Sequence, residues 1–230
     1  MPTFIDEADT SYTTTTTPKT SASFDVIAGD LIVISGHKDD SGSNLVTPTN
    51  SGTAFTWTLQ QTAGVSAAEN ELYVWTAIAS VTQSMTVTGT ISTAGVVWGF
   101  NRMTIRNHGG VGTSVDTTSL GTGAPTLNIT TTRPGSLVVV FVSDNAGVDG
   151  SSRTWRTNAG ALSETLYSQQ STFRAIYLGY HADAGPIGTY AVGLTAPTGQ
   201  SYNVIALEIL APHTKRPEGG MVSLSGGLSV

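Results

Sequence analysis

The chain has 230 residues and no cysteine, which excludes disulfide frameworks, thiolate metal sites and thiol nucleophiles together. Charged residues make up 11% of it, against roughly 25% in an average soluble domain. With ten basic and sixteen acidic residues, it lacks the basic stripe that counterion release on nucleic acid requires, so direct nucleic-acid binding is not expected.

Residues 1–20, MPTFIDEADTSYTTTTTPKT, are low in hydrophobicity apart from Phe4, Ile5 and Tyr12, and they hold a run of threonines at 13–17. Threonine favours extended backbone without supplying a core face. The segment reads as an extended N-terminal arm, either an edge strand or a disordered terminus, with Phe4 and Ile5 as docking anchors on a neighbouring surface. It also lacks the charged and apolar regions of a secretory signal, and no apolar run along the chain reaches the roughly 18 residues of a membrane span. Membrane insertion is therefore not expected.

From residue 23 onward, short β patterns alternate with Gly, Asn, Asp and Pro at the spacing of sandwiches and barrels. Strands are expected at 23–26, 31–35, 55–59, 71–79, 84–90 and 96–106. In the fourth of these, Leu72, Val74, Thr76 and Ile78 fall on one face and Tyr73, Trp75 and Ala77 on the other, as a period of two requires. Large groups on both faces mark a central strand or an interface. Residues 107–124, NHGGVGTSVDTTSLGTGA, are rich in Gly, Ser and Thr and read as a linker.

A second series of strands follows at 127–131, 136–143, 154–156, 173–181, 189–195 and 203–210, and its landmarks keep the order of the first. Gly29-Asp30-Leu31 is answered by Gly135-Ser136-Leu137, Trp57 by Trp155, the Tyr73 to Ala79 strand by Ala175 to Tyr180, and Met85 to Thr88 by Tyr190 to Gly193. Residues 60–71 are the best helical candidate, but they contain Gly64 and Val65 and carry no sustained apolar stripe. The expected fold is all-β, a double-sheet β-sandwich of jelly-roll type with an internal pseudo-two-fold duplication. Its halves, 21–106 and 125–212, close on one shared core; two separate immunoglobulin-like domains are the alternative. Residues 213–230 read as a C-terminal tail, either frayed or adding a strand to a neighbour through Met221, Val222 and Leu224.

Candidate chemistry is sparse. The loops at 37–42 and 144–150 are rich in oxygen ligands of the kind calcium takes, but neither has EF-hand spacing, and Asp, Asn and Gly are also turn formers. His37, His108, His181 and His213 lack zinc-site spacing, and no Gly-x-Ser-x-Gly elbow occurs. No catalytic residue, metal or cofactor is assigned. Trp57 and Trp155, at corresponding places, read as core residues. Trp75 and Trp98 read as subunit-contact residues, where tryptophan is enriched, or as stacking surfaces for a glycan.

The landmarks together are the Thr/Ser-rich lead-in, Ala28-Gly29-Asp30-Leu31-Ile32-Val33, Trp57-Thr58-Leu59, Leu72-Tyr73-Val74-Trp75-Thr76-Ala77, Thr86-Val87-Thr88, the polar linker, and Thr131-Thr132 leading to Gly135-Ser136-Leu137-Val138-Val139. Their order resembles a family of bacteriophage virion proteins, mainly from phages of actinobacteria, described as minor tail or capsid-surface proteins. The resemblance spans residues 20–212. It implies a non-enzymatic β-sandwich carried in several copies on the virion surface, with other virion proteins and further copies of itself as partners. The chain has neither collagen-like repeats nor coiled-coil heptads, so a compact module is expected rather than a fibre. A glycan-binding module contacting the host cell envelope is the alternative.

Overall fold

A computed structural model describes residues 1–9, 13–14, 18–38, 44–64, 71–92, 97–144, 149–170 and 174–213. The first half contains β1 (Thr3–Asp9), β2 (Thr13–Thr14), β3 (Lys19–Thr20), β4 (Phe24–Val26), β5 (Leu31–Lys38), β6 (Leu45–Asn50), β7 (Thr58–Gly64), β8 (Glu71–Ile78), β9 (Gln83–Met85), β10 (Val87–Ile91) and β11 (Val97–Arg106). The second contains β12 (Val111–Gly123), β13 (Thr126–Thr130), β14 (Leu137–Asp144), β15 (Thr154–Trp155), β16 (Leu162–Gln170), β17 (Arg174–His181), β18 (Thr189–Ala196) and β19 (Gln200–Ile209). Among the described residues there is no helix, and every strand pairing is antiparallel.

Each half builds one large and one small sheet, and the first half adds a two-stranded pair, β4-β9. The large sheets run β1-β11-β5-β8-β7 and β12-β19-β14-β17-β16, and the small ones β3-β10-β6 and β13-β18-β15. Position by position, the two halves repeat one strand order. Even the irregularities coincide: β7 slips register between Leu59 and Gln61, and β16 between Glu164 and Leu166, at matching places.

The apolar runs follow from layering. Both β5 and β14 are buried at every position, because each lies in mid-sheet with protein on both faces. One face of β5 sends Ile32 and Ile34 toward the small sheet of its half, joining Phe24, Trp75, Met85 and Trp98. The other sends Leu31 and Val33 across the molecule to Leu137, Val139, Phe141 and Ile205 of the second half. A third cluster, around Ile129, Val140, Tyr177 and Val204, fills the second half's own sandwich. The alternation expected for residues 71–79 is realised: Leu72 and Val74 face the other half, and Tyr73, Trp75 and Ala77 face their own small sheet. The single shared core expected from the sequence is thus three cores, one inside each half and one between the large sheets.

One segment departs from its expected role, and the N-terminal one takes the edge-strand alternative. Residues 111–123, read as linker, form edge strand β12, paired to β19 from Val111↔Ile209 to Gly123↔Gln200. The N-terminal segment is an edge strand rather than a disordered terminus: β1 pairs with β11, β2 also pairs with β11, and β3 pairs with β10, and Phe4 docks within the chain, on Tyr180, rather than on a neighbour. Trp57 and Trp155 both pack on their own half's core, but on different elements, one just before β7 and the other in β15 of a small sheet. Segments of this kind carry apolar side chains at few positions, so hydrophobic patterning does not reveal them.

The turns that open β5 and β14 match. Gly29 (φ 94) and Gly135 (φ 69) both adopt the left-handed region, which glycine enters without steric cost. Each is followed by a buried polar residue, Asp30 or Ser136. Asp30 accepts two hydrogen bonds of 2.7 Å from Arg106 and one of 2.9 Å from the Ile27 amide. Ser136 donates to Glu208, a buried carboxylate that also accepts from the Thr113, Thr132 and Arg133 amides and the Thr132 hydroxyl. These two anchors tie the turn end of each large sheet.

Candidate functional site: a groove between the halves

The large sheets face each other so that the first strand of each half lies near the last edge of the other. On one side, Phe4 of β1 stacks on Tyr180 of β17 with ring centroids 4.8 Å apart. On the other side, β7 and β8 meet β12, and there a groove of about 450 Å³ opens. Its floor is apolar, with Leu31, Phe55 and Val111. The walls carry Thr56, Thr58, Gln60, Thr76 and Ser80, and Ile78 stands at its mouth, 55% exposed. None of the described lining residues is charged.

Register explains why this side is open. Leu31 pairs with Ile105 and Ile78, as Leu137 pairs with Ile209 in the second half. Phe4 pairs with Ile105 and Val111 with Ile209, so Phe4 and Val111 hold the same position in the two halves. By the same reasoning Thr76, opposite Thr58, corresponds to Tyr180, opposite Ser163. Where two aromatic rings fill one side of the molecule, Val111 and Thr76 leave the other side empty. Gln60 donates to the Thr76 hydroxyl at 2.7 Å and holds that wall in place.

The sequence-derived candidates fall elsewhere. Phe4 is half-buried against Tyr180, and Ile5 sits beside it at the β1 bulge, 38% exposed. Trp75 and Trp98 are buried, at 3% and 1% exposure, so neither is a stacking surface or a contact for another subunit. Tryptophan in a two-faced strand is core, a distinction that composition cannot make. Met221, Val222 and Leu224 lie outside the described residues, as do Asp39 and Asp40. In the second candidate calcium loop, Asp149 accepts from the Ser151 amide at 2.8 Å and its hydroxyl at 3.1 Å, the bonding of a turn residue. Asp144 is buried at the end of β14.

A polar cluster unforeseen from sequence sits on the outer side of the second half. Arg153 pairs with Glu164 through two guanidinium nitrogens and lies over the Tyr167 ring, 4.2 Å from its centroid. The Trp155 indole N–H donates to the same carboxylate at 2.6 Å. Burial would raise the Glu164 carboxyl, but the Arg153 and Trp155 hydrogen bonds outweigh it and hold the group below its ordinary range. The cluster satisfies itself internally and fastens the 149–156 loop to β16. Burial pushes the His181 imidazole below its usual range, while its Nδ1–H donates to the Gly160 carbonyl at 3.0 Å. His108 bridges the halves' connection, with Nε2 to the Gly29 carbonyl at 2.8 Å and Nδ1 accepting from the Gly110 amide at 3.0 Å.

Met1, Ile27 and Ile187, at 65%, 42% and 60% exposure, lie in the segments that lead into β1, β5 and β18, while Ile5, Val46, Leu59 and Ile78 are exposed elsewhere. The edges of the large sheets are by contrast irregular, with register shifts in β1, β7, β12 and β16. Bulges of this kind disturb the backbone ladder and discourage strand addition. No family model, curated protein or solved structure matches the chain.

Proposed function

We propose that the chain is a non-enzymatic structural protein of a phage virion, of minor tail or capsid-decoration type, built by duplication of a jelly-roll-like sandwich and docked on the particle surface. The observation that carries the reading is the set of exposed apolar residues Met1, Ile27 and Ile187 at the turn end. Each is a large apolar side chain left in water on a connection at that end of the sheets, a position suited to covering by a partner, and the bulged edges leave an end-on contact as the natural mode. Other virion proteins are the partners, and copies of the chain meet through ends or outer faces rather than edges. The charged groups support the same reading: Asp30–Arg106, Lys38–Glu71, Asp6–Arg102 and Arg153–Glu164 are consumed in structural pairs. Labelled antibody viewed by electron microscopy on purified particles tests the proposal. Label at regular surface positions is expected; particles without the protein would refute it.

The alternative, a glycan-binding module for the host envelope, loses Trp75 and Trp98 as its platform because both are buried. The groove between the halves is the observation that keeps it in view.

A further inference from the structure

We propose that the groove lined by Thr58, Gln60, Thr76, Ser80 and Val111 binds a neutral saccharide. The site shares no lining residue with Met1, Ile27 and Ile187, although the turn after Ile27 is bonded to Ala79 beside it. Its volume, about 450 Å³, lies within the roughly 300–1,000 Å³ of ligand pockets and leaves room for a mono- or disaccharide.

The lining chooses among ligand classes. A charged ligand, such as a phosphate or a uronic acid, would give up water without meeting a counter-charge among the described lining residues, which is unfavourable. A wholly apolar ligand would cover the Thr56, Thr58 and Ser80 hydroxyls, and the remaining capacity of the bonded Gln60–Thr76 pair, without offering them a partner. An extended peptide would need a regular edge to pair with. Both flanking edges are broken beside the groove, β7 at Gln60 and β12 just after Val111. A neutral sugar meets each condition. Hydroxyl and amide groups, which donate and accept together, match its ring hydroxyls, and Ile78 and Val111 present an apolar surface to its C–H face above the buried Leu31 and Phe55.

The opposite side of the junction supplies a control within the same molecule. The equivalent place there is filled by the Phe4–Tyr180 stack, so the double substitution Thr76→Tyr with Val111→Phe fills the groove with a pair that the fold already accommodates. The full chain is applied to an array of neutral and anionic glycans, and the best neutral glycan is then titrated against the chain and the variant. Saturable binding of neutral glycans is expected, weakened by about tenfold or more in the filled variant with its melting temperature preserved. Should the filled variant fail to fold, Thr58→Val with Ser80→Ala removes two hydroxyls at nearly unchanged shape and is expected to weaken binding likewise. Failure of every neutral glycan to bind, a preference for anionic glycans, or equal affinity in a folded variant would overturn the proposal. None of these outcomes bears on particle docking, which rests on other residues.

Discussion

Phe4 and Tyr180 stack across the junction of the halves at 4.8 Å, and the residues at the same two positions on the opposite side are Val111 and Thr76. One chain therefore shows the same junction closed and open. The closed side bonds the halves and the open side makes the groove. Replacing Phe4 with Ala removes a half-buried ring and its stacking partner's contact. A loss of about 1–3 kcal/mol is expected by chemical denaturation, whereas Val111→Ala on the open side is expected to cost less.

Removing residues 1–9 is expected to destabilise the fold rather than free a dispensable arm. It strips β1 from β11, removes the Phe4 ring, and leaves the Arg102 guanidinium, 2% exposed, without Asp6. Asp6 is itself 44% exposed, so solvent screens part of that pairing. Together the losses come to about 3 kcal/mol or more, read as a lower denaturation midpoint. An unchanged midpoint would return the segment to the status of an arm.

Acid is expected to weaken the fold through its buried carboxylates. Burial would raise Glu208, but hydrogen bonds from the Thr113 and Thr132 amides and from the Ser136 and Thr132 hydroxyls outweigh it, so its folded pKa lies below the ordinary 4.5. Asp30 is likewise depressed: burial opposes, and Arg106 and the Ile27 amide prevail. A depressed carboxylate contributes stability that is fully present above its unfolded pKa and is lost as pH falls through the folded value. Melting temperature should thus hold down to about pH 5 and fall increasingly below pH 4. The Glu208→Gln variant is expected to be less stable at neutral pH by about 2 kcal/mol and to show a shallower acid slope. Parallel slopes in the two proteins would contradict this assignment.

Trp75→Ala and Trp98→Ala are expected to cost about 3–5 kcal/mol each, because both indoles are buried in the first half's core. Acrylamide should quench these tryptophans poorly in the folded chain. Efficient quenching of either would restore it as a surface residue.

The strands that hold matching places in the two halves are legible in the sequence because β5 and β14 carry unbroken apolar runs, and β8 shows large residues on both faces. Burial on two faces leaves such a signature. Strand β12 left none: it is a sheet edge of Gly, Ser and Thr with Val111 and Val115 as its apolar contacts. The N-terminal strand is hidden likewise, since Phe4 alone signals its packing. The groove was beyond reach for a different reason. It exists because small residues stand where the other side of the junction has rings, and that comparison requires the register across both sheets. Trp75 and Trp98 resemble contact residues in the sequence because indole size alone does not tell a core from a contact.

Docking at the turn end is the claim on which the functional account rests, and incorporation of an Ile27→Asp, Ile187→Asp double variant into particles measures it most directly. Both side chains are exposed, so the variant is expected to fold with a melting temperature near that of the parent. When it is supplied in place of the parent during infection, purified particles should lack it, as read by mass spectrometry of their proteins. Particles carrying the folded variant in parental amounts would contradict the account.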